Sequence, residues 1–198
     1  MRVPQVLWTT AGLVGAALLG SGWLGPGEPP SEVAVFRSVH YPEFLLEDPF
    51  GRYVTHEDFR GRFMLVLFGF TQSPETCPMT LSVVSDVMDD LDEKADQVQP
   101  IFISVDPERD VGTHLARYTD AFHPAILGLT GSPGALLSAA RTFHVFYDRD
   151  LDATESDGFD MAHSSWLILL GPDGGWVRNF RYGTSAAAIS ADLSARLE

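Results

Sequence analysis

Cys77 is the one cysteine among 198 residues, and it stands where a thiol can react. It follows a polar turn, residues 71–76, and Pro78 comes directly after it. Beyond Pro78, Leu81, Val84, Met88 and Leu91 recur at steps of three and four, so the turn leads into a helix of roughly residues 79–92. Pro78 suits the first helical turn, where its missing N–H costs nothing. Cys77 therefore sits at the positive end of the helix, where free backbone N–H groups favour a thiolate. A thiolate is a nucleophile, a redox centre and a soft metal ligand. A lone cysteine also packs as a small buried hydrophobe, and that reading stays open. One cysteine forms no internal disulfide, no Cys-x-x-Cys pair and no zinc site of several thiolates. Thiol exchange would need a second thiol from a partner. Ser73 lies in no activated-nucleophile context, and no Ser-His-Asp spacing is present.

The elements that must hold this cysteine are legible on both sides of it. Phe63 to Phe70 is a short apolar run broken only by Gly69, which reads as a buried strand feeding the turn. Before it, Phe44 to Leu46, a turn through Asp48, Pro49 and Gly51, and a strand near Arg52 to Thr55 make a small hairpin. After the helix, Val98 to Val105 is a second buried strand, with Pro100 making its first residues edge-like. The polar loop Asp106-Pro107-Glu108-Arg109-Asp110 follows, with Asp106 as a strand-end cap. Leu115, Tyr118 and Phe122 mark the next helix face. Ala125 to Leu129 is a short strand. Ser132 caps a helix that starts at Pro133 and turns Leu136, Leu137 and Ala140 inward. Residues 143–162 read as a polar loop, and the acidic residues from Asp148 to Asp157 fit no calcium-loop spacing. Ser164 to Leu170, the PDGG turn and Trp176 to Phe180 form a late hairpin. A helix over residues 184–197 closes the chain. Alternating strands and helices give an α/β fold, a thioredoxin-like central sheet flanked by helices.

Acidic residues outnumber basic ones, 27 to 13, for a formal charge of −14. With no basic patch, a nucleic-acid partner is not expected. Residues 3–25 carry no charged side chain and are long enough to cross a bilayer. Residues 1–25 are thus read as a membrane anchor or signal segment, the anchor being favoured. Residues 26–40 form a linker, Pro- and Gly-rich at its start, and residues 41–198 form the domain. The basic leader stays inside, which puts residues 30–198 outside the cytoplasm.

Three fragments, in order, resemble the SCO/SenC family of copper-binding thioredoxin-like proteins, which assist cytochrome oxidase assembly. FGFTQSPETCP at 68–78 is similar to its FGYTxCPxxCP signature, ISVDPERD at 103–110 to its SVDPxRD, and AHSSWLILLGPDGGWVRNF at 162–180 to its histidine and late hairpin. The resemblance covers about residues 41–197 and the membrane segment. It implies copper as the bound metal, with the second cysteine falling on Cys77 and the distant histidine on His163. The first cysteine falls on Ser73, whose hydroxyl is a poor soft donor, so a two-thiolate copper(I) site cannot form. Ser73 instead supports the Cys77 sulfur by a hydrogen bond. Met79 adds a soft thioether as a further candidate ligand, and Met161 a weaker one. Asp160, two positions before the alanine that replaces the family's acid, or a backbone carbonyl would orient His163. The implied partner is the copper-bearing subunit of cytochrome oxidase or another copper or thiol redox protein. The implied place is the inner (cytoplasmic) membrane, single-pass, with the domain facing the periplasm. A metallochaperone-like role is expected rather than an enzyme. Two alternatives remain: a single-cysteine thiol–disulfide oxidoreductase, and a metal-free interaction domain. The peroxidase order Pro-x-x-x-Thr-x-x-Cys fits poorly, because Pro74 lies three residues before Cys77.

Overall fold

The strand Phe63–Gly69 (β3) is buried at all seven of its residues, so both of its faces must be covered. Alternation along the strand divides these side chains between two apolar layers. Met64, Val66 and Phe68 point into one, and Phe63, Leu65 and Leu67 into the other. Burying a side chain of this size contributes about 1.5–3 kcal/mol, which makes this strand the backbone of the core. The computed structural model describes residues 39–149, 159–160 and 166–197.

Four strands flank β3, giving a five-stranded sheet. On one side lie Val98–Ser104 (β4) and then Leu127–Leu129 (β5), both parallel to their neighbours. On the other lie Trp166–Leu170 (β8) and Trp176–Arg181 (β9), both antiparallel. The spatial order is β5-β4-β3-β8-β9. Val66 stands opposite Ile101 on one side and Ile168 on the other. The last three strands of this order form the late hairpin and its partner. Pro100 is tolerated in β4 because β5 pairs only with Ile101 to Ile103, leaving one side of Pro100 without a strand.

Helices Thr76–Leu91 (α1), Gly112–Asp120 (α2) and Ala186–Ser194 (α4) contribute Leu81, Val84, Leu115, Ile189 and Leu193 to the layer that holds Leu65. Helix Pro133–Thr142 (α3) and the hairpin of Leu45–Glu47 (β1) with Tyr53–Thr55 (β2) cover the other layer. The hairpin is tied to the sheet through Glu47 and Thr130, which exchange backbone hydrogen bonds of 2.7 and 2.9 Å. This is the helix-covered mixed sheet expected from the order of elements.

Some local expectations change. Helix α1 begins at Thr76 rather than near residue 79, so Cys77 lies inside its first turn. Ser132 does cap α3 through the Ala135 N–H, but Leu137 points outward and is 44% exposed. Leu136, Ala139 and Ala140 make the buried stripe instead, because a three-four spacing from Leu136 excludes its neighbour. Residues 143–162 are not all loop. Asp148–Arg149 (β6) pairs antiparallel with Phe159–Asp160 (β7), a contact too short to leave a periodic signature. No helix among the described residues is long and apolar enough to cross a membrane, and residues 3–25 lie outside them.

Candidate functional site

The site is built where β3 and β4 end side by side. The chain leaves β3, and Phe70 closes a turn by accepting the Ser73 N–H at 3.2 Å. Ser73 is buried, and its Oγ accepts the Cys77 N–H at 3.3 Å. The first N–H groups of a helix have no partner within it. Glu75, directly before α1, makes no side-chain cap, so the hydroxyl four residues before Cys77 takes that role. The side chain of residue 73 and the start of α1 are thereby fixed against each other.

A buried carboxylate holds this turn to the loop after β4. Asp110 is 1% exposed and accepts from the Thr71 N–H at 2.8 Å, the Thr71 hydroxyl at 2.6 Å and the Ser104 hydroxyl at 2.6 Å. His114 reaches the same group, with Nε2 3.1 Å from Thr71 Oγ1 and 3.8 Å from Asp110 Oδ1. Asp106 is also buried and pairs with Arg109, whose guanidinium donates to Gln72 at 3.1 Å. Two acidic residues of the loop 106–110 thus hold two consecutive turn residues, Thr71 directly and Gln72 through Arg109. Asp106 does more than cap the strand end, although its main-chain carbonyl does accept the Arg109 and Asp110 N–H groups.

Cys77 itself faces inward. It is 3% exposed and packs with Leu67, Leu81 and Phe102 in the layer beneath α1. Its sulfur lies so close to the sheet that a Cβ added at Gly69 would meet Sγ at 2.5 Å and Phe102 Cε2 at 2.7 Å. Glycine at 69 is what lets the thiol approach β3. The expectation of a thiolate favoured by the helix end is therefore overturned. Burial pushes the Cys77 thiol up, since a charged sulfur would lose its hydration. Hydrogen bonds from Ser73 and the Phe70 backbone pull it down, the charge on Asp110 pushes it further up, and the net direction is upward. The hydrogen bond found between the two residues is the one Ser73 Oγ accepts from the Cys77 backbone N–H. Tyr118, on α2, feels the same surroundings. Burial raises its phenol, Cys77 and Asp110 add to the rise, and its hydroxyl has no partner among the described residues.

The structure brings Ser73 and Cys77 together and sets Met79 apart. Met79 is half exposed and lines a different groove with Val83, Leu167, Phe180 and Ile189. Its sulfur accepts a hydrogen bond from the Tyr182 hydroxyl at 3.1 Å. His163 and Met161 lie outside the described residues, and Asp160 is described as the β7 partner of Asp148. Among the described residues, no group of three or more His, Cys, Asp or Glu is arranged to hold a metal ion. Sequence reasoning missed Asp110, His114 and Tyr118. The first two carried a signal, an i and i+4 acid–imidazole pair directly after a buried strand. Tyr118 was read only as part of an apolar face.

Comparison with known proteins gives concordant matches. The family described as SCO1/SenC matches residues 34–198. The mitochondrial SCO2 homolog of Bos taurus is 36% identical over 188 residues, covering 90% of this chain and 70% of that protein. The copper-bound structure of ScoI from Bradyrhizobium japonicum is 31% identical with a TM-score of 0.70, covering 78% of this chain and 98% of that one. The apo Sco1 protein of Thermus thermophilus is 34% identical with a TM-score of 0.72, covering 81% of this chain and 93% of that one. These Sco structures share the thioredoxin-like sheet described above.

The buried thiol has a measurable signature. Alkylation of Cys77 in the native chain, followed against pH, should show an apparent midpoint above the ordinary thiol value of about 8.5. A midpoint at or below that value would contradict the inward placement of the sulfur. Because the folded-state value is the higher one, the stability linked to this thiol is complete below the unfolded-state value. It is lost as pH rises through the folded-state value.

Proposed function

The chain belongs to the SCO1/SenC family, and from that premise we propose that it handles copper for cytochrome c oxidase assembly through a site built on a single cysteine. The observation that carries this reading is the hydrogen bond from the Cys77 N–H to Ser73 Oγ. It keeps residue 73 turned toward residue 77, the two positions on which the family's paired cysteines fall. One thiol and one imidazole, Cys77 and His163, fit a copper ion as a reduced donor set, a soft sulfur with a borderline nitrogen. Copper is cargo here and not a resident cofactor.

Each residue then has a defined task. Cys77 gives up its proton to bind the metal, so uptake competes with protonation and weakens as pH falls. The burial that raises the thiol sharpens that competition. Ser73 holds the start of α1 and donates to the sulfur. Asp110 fixes the turn through Thr71, so that the sulfur has one position. Asp160 or a backbone carbonyl orients His163, and Met79 stands by as a surface thioether that Tyr182 must release before it can act. The partner is the copper-bearing oxidase subunit or another copper or thiol redox protein.

The same reading places the domain outside the cytoplasm on an anchor formed by residues 3–25. Fractionation of cells should leave the protein in the inner membrane with those residues intact. A soluble mature form lacking them would contradict the anchor.

A second reading is favoured by one observation, the inward, buried thiol. A domain that has lost a ligand and buried the other can serve as a metal-free interaction domain. Burial also works against the single-thiol oxidoreductase, which needs an accessible thiolate. Ser73→Cys separates the copper reading from the interaction domain. If the pocket is kept, the new thiol sits against Cys77 and copper(I) affinity rises at least tenfold, about 1.4 kcal/mol. Anaerobic competition against a copper(I) chelator measures this, after both thiols are shown to be free. A smaller change would mean that no copper pocket remains to be repaired.

A further inference from the structure

We propose that His40 and His144 form a second metal site, a two-imidazole surface site for a borderline divalent transition-metal ion, with Cu(II) held most tightly. It lies in the layer that holds Phe143 and Trp176, on the sheet face opposite Cys77. The two rings are 4.7 Å apart between centroids and inclined by 30°. Trp176 stands beside both, at 5.9 Å from His40 and 6.1 Å from His144.

The state of His40 points to a ligand. Its Nε2 lies 2.5 Å from the Thr142 carbonyl oxygen. A carbonyl only accepts, so Nε2 carries the proton, and Nδ1 of the neutral ring keeps its lone pair. A histidine that donates one nitrogen to a backbone carbonyl and offers the other is the arrangement found at protein metal sites. Thr142 is the last residue of α3, where carbonyls lack helical partners, so the carbonyl is available to orient the ring. His40 is further fixed by its own carbonyl, which accepts the Trp176 N–H at 2.7 Å.

His144 is presented by a different device. It lies just beyond Phe143, the residue that caps α3, with φ of 51°, in the left-handed region, while the Val145 N–H reaches the Ala140 carbonyl at 2.8 Å. This turn brings its ring over His40. Its imidazole makes no hydrogen bond to the described residues. The other described histidines are engaged: His56 with Glu57, His114 with Thr71, and His123 with the Ala125 N–H. Both rings of the pair are exposed, so small side-chain rotations bring two nitrogens to the roughly 2 Å bond length that imidazole ligands adopt. Water completes the shell. Imidazole suits Zn, Ni and Cu, and Cu(II) leads that order of affinity. A bound ion would clasp the segment entering the domain to the end of α3, and would stabilise the fold in proportion to its occupancy.

The test uses the full chain carrying Cys77→Ala, so that it stands whether or not the thiol site exists. Titration with Cu(II), followed by electron paramagnetic resonance, should show one ion with imidazole nitrogen hyperfine structure. His40→Gln and His144→Asn should each weaken binding at least tenfold; asparagine tolerates the left-handed backbone at 144. Unchanged affinity in either variant would overturn the pair. A second measurement needs no histidine variant: substoichiometric Cu(II) should broaden the imidazole resonances of His40 and His144 before those of the other four histidines. Earlier broadening at any other histidine would overturn the assignment.

Discussion

The site depends on one buried carboxylate. Asp110 accepts three hydrogen bonds from Thr71 and Ser104, and in doing so ties the turn after β3 to the end of β4. A buried carboxylate without such donors would be strongly unfavourable. The turn residues and the carboxylate therefore hold each other in place. With the turn fixed at Thr71, Ser73 meets Cys77 and α1 starts where it does. The sulfur then follows from the helix geometry and from the absence of a side chain at Gly69.

That arrangement sets two demands against each other. The helix end and the Ser73 hydroxyl favour a charged sulfur, whereas contact with Leu67, Leu81 and Phe102 favours a neutral one. Burial outweighs the hydrogen bonds. A soft cation at the sulfur would reverse the balance, because the positive ion replaces lost hydration and displaces the thiol proton. If Cys77 is the copper ligand proposed above, its charge appears only when the metal is bound. Tyr118 packs against the same apolar layer, with its hydroxyl unpartnered among the described residues.

Much of this was legible in the residue order. β3 announced itself because a seven-residue buried strand must be apolar at every position. The late hairpin did so through its PDGG turn. Cys77 was found because it is alone, and Ser73 because a family signature expects another residue there. What was not legible depends on contacts between distant segments. The depth of Cys77 comes from Gly69 and Phe102, one in each of two paired strands. Asp110 read as one polar residue in a polar loop, because nothing local says that Thr71 lies against it. The link between His40 and His144 crosses more than a hundred residues and leaves no spacing signal.

The proposed copper role rests on Cys77 being the sulfur that receives the metal. X-ray absorption at the copper edge, on the full chain loaded anaerobically with one equivalent of copper(I), reads the donor atoms directly. One sulfur scatterer in the first shell is expected together with imidazole scattering, with loss of the sulfur shell in Cys77→Ala. A first shell of nitrogen and oxygen alone in the unaltered chain would contradict it.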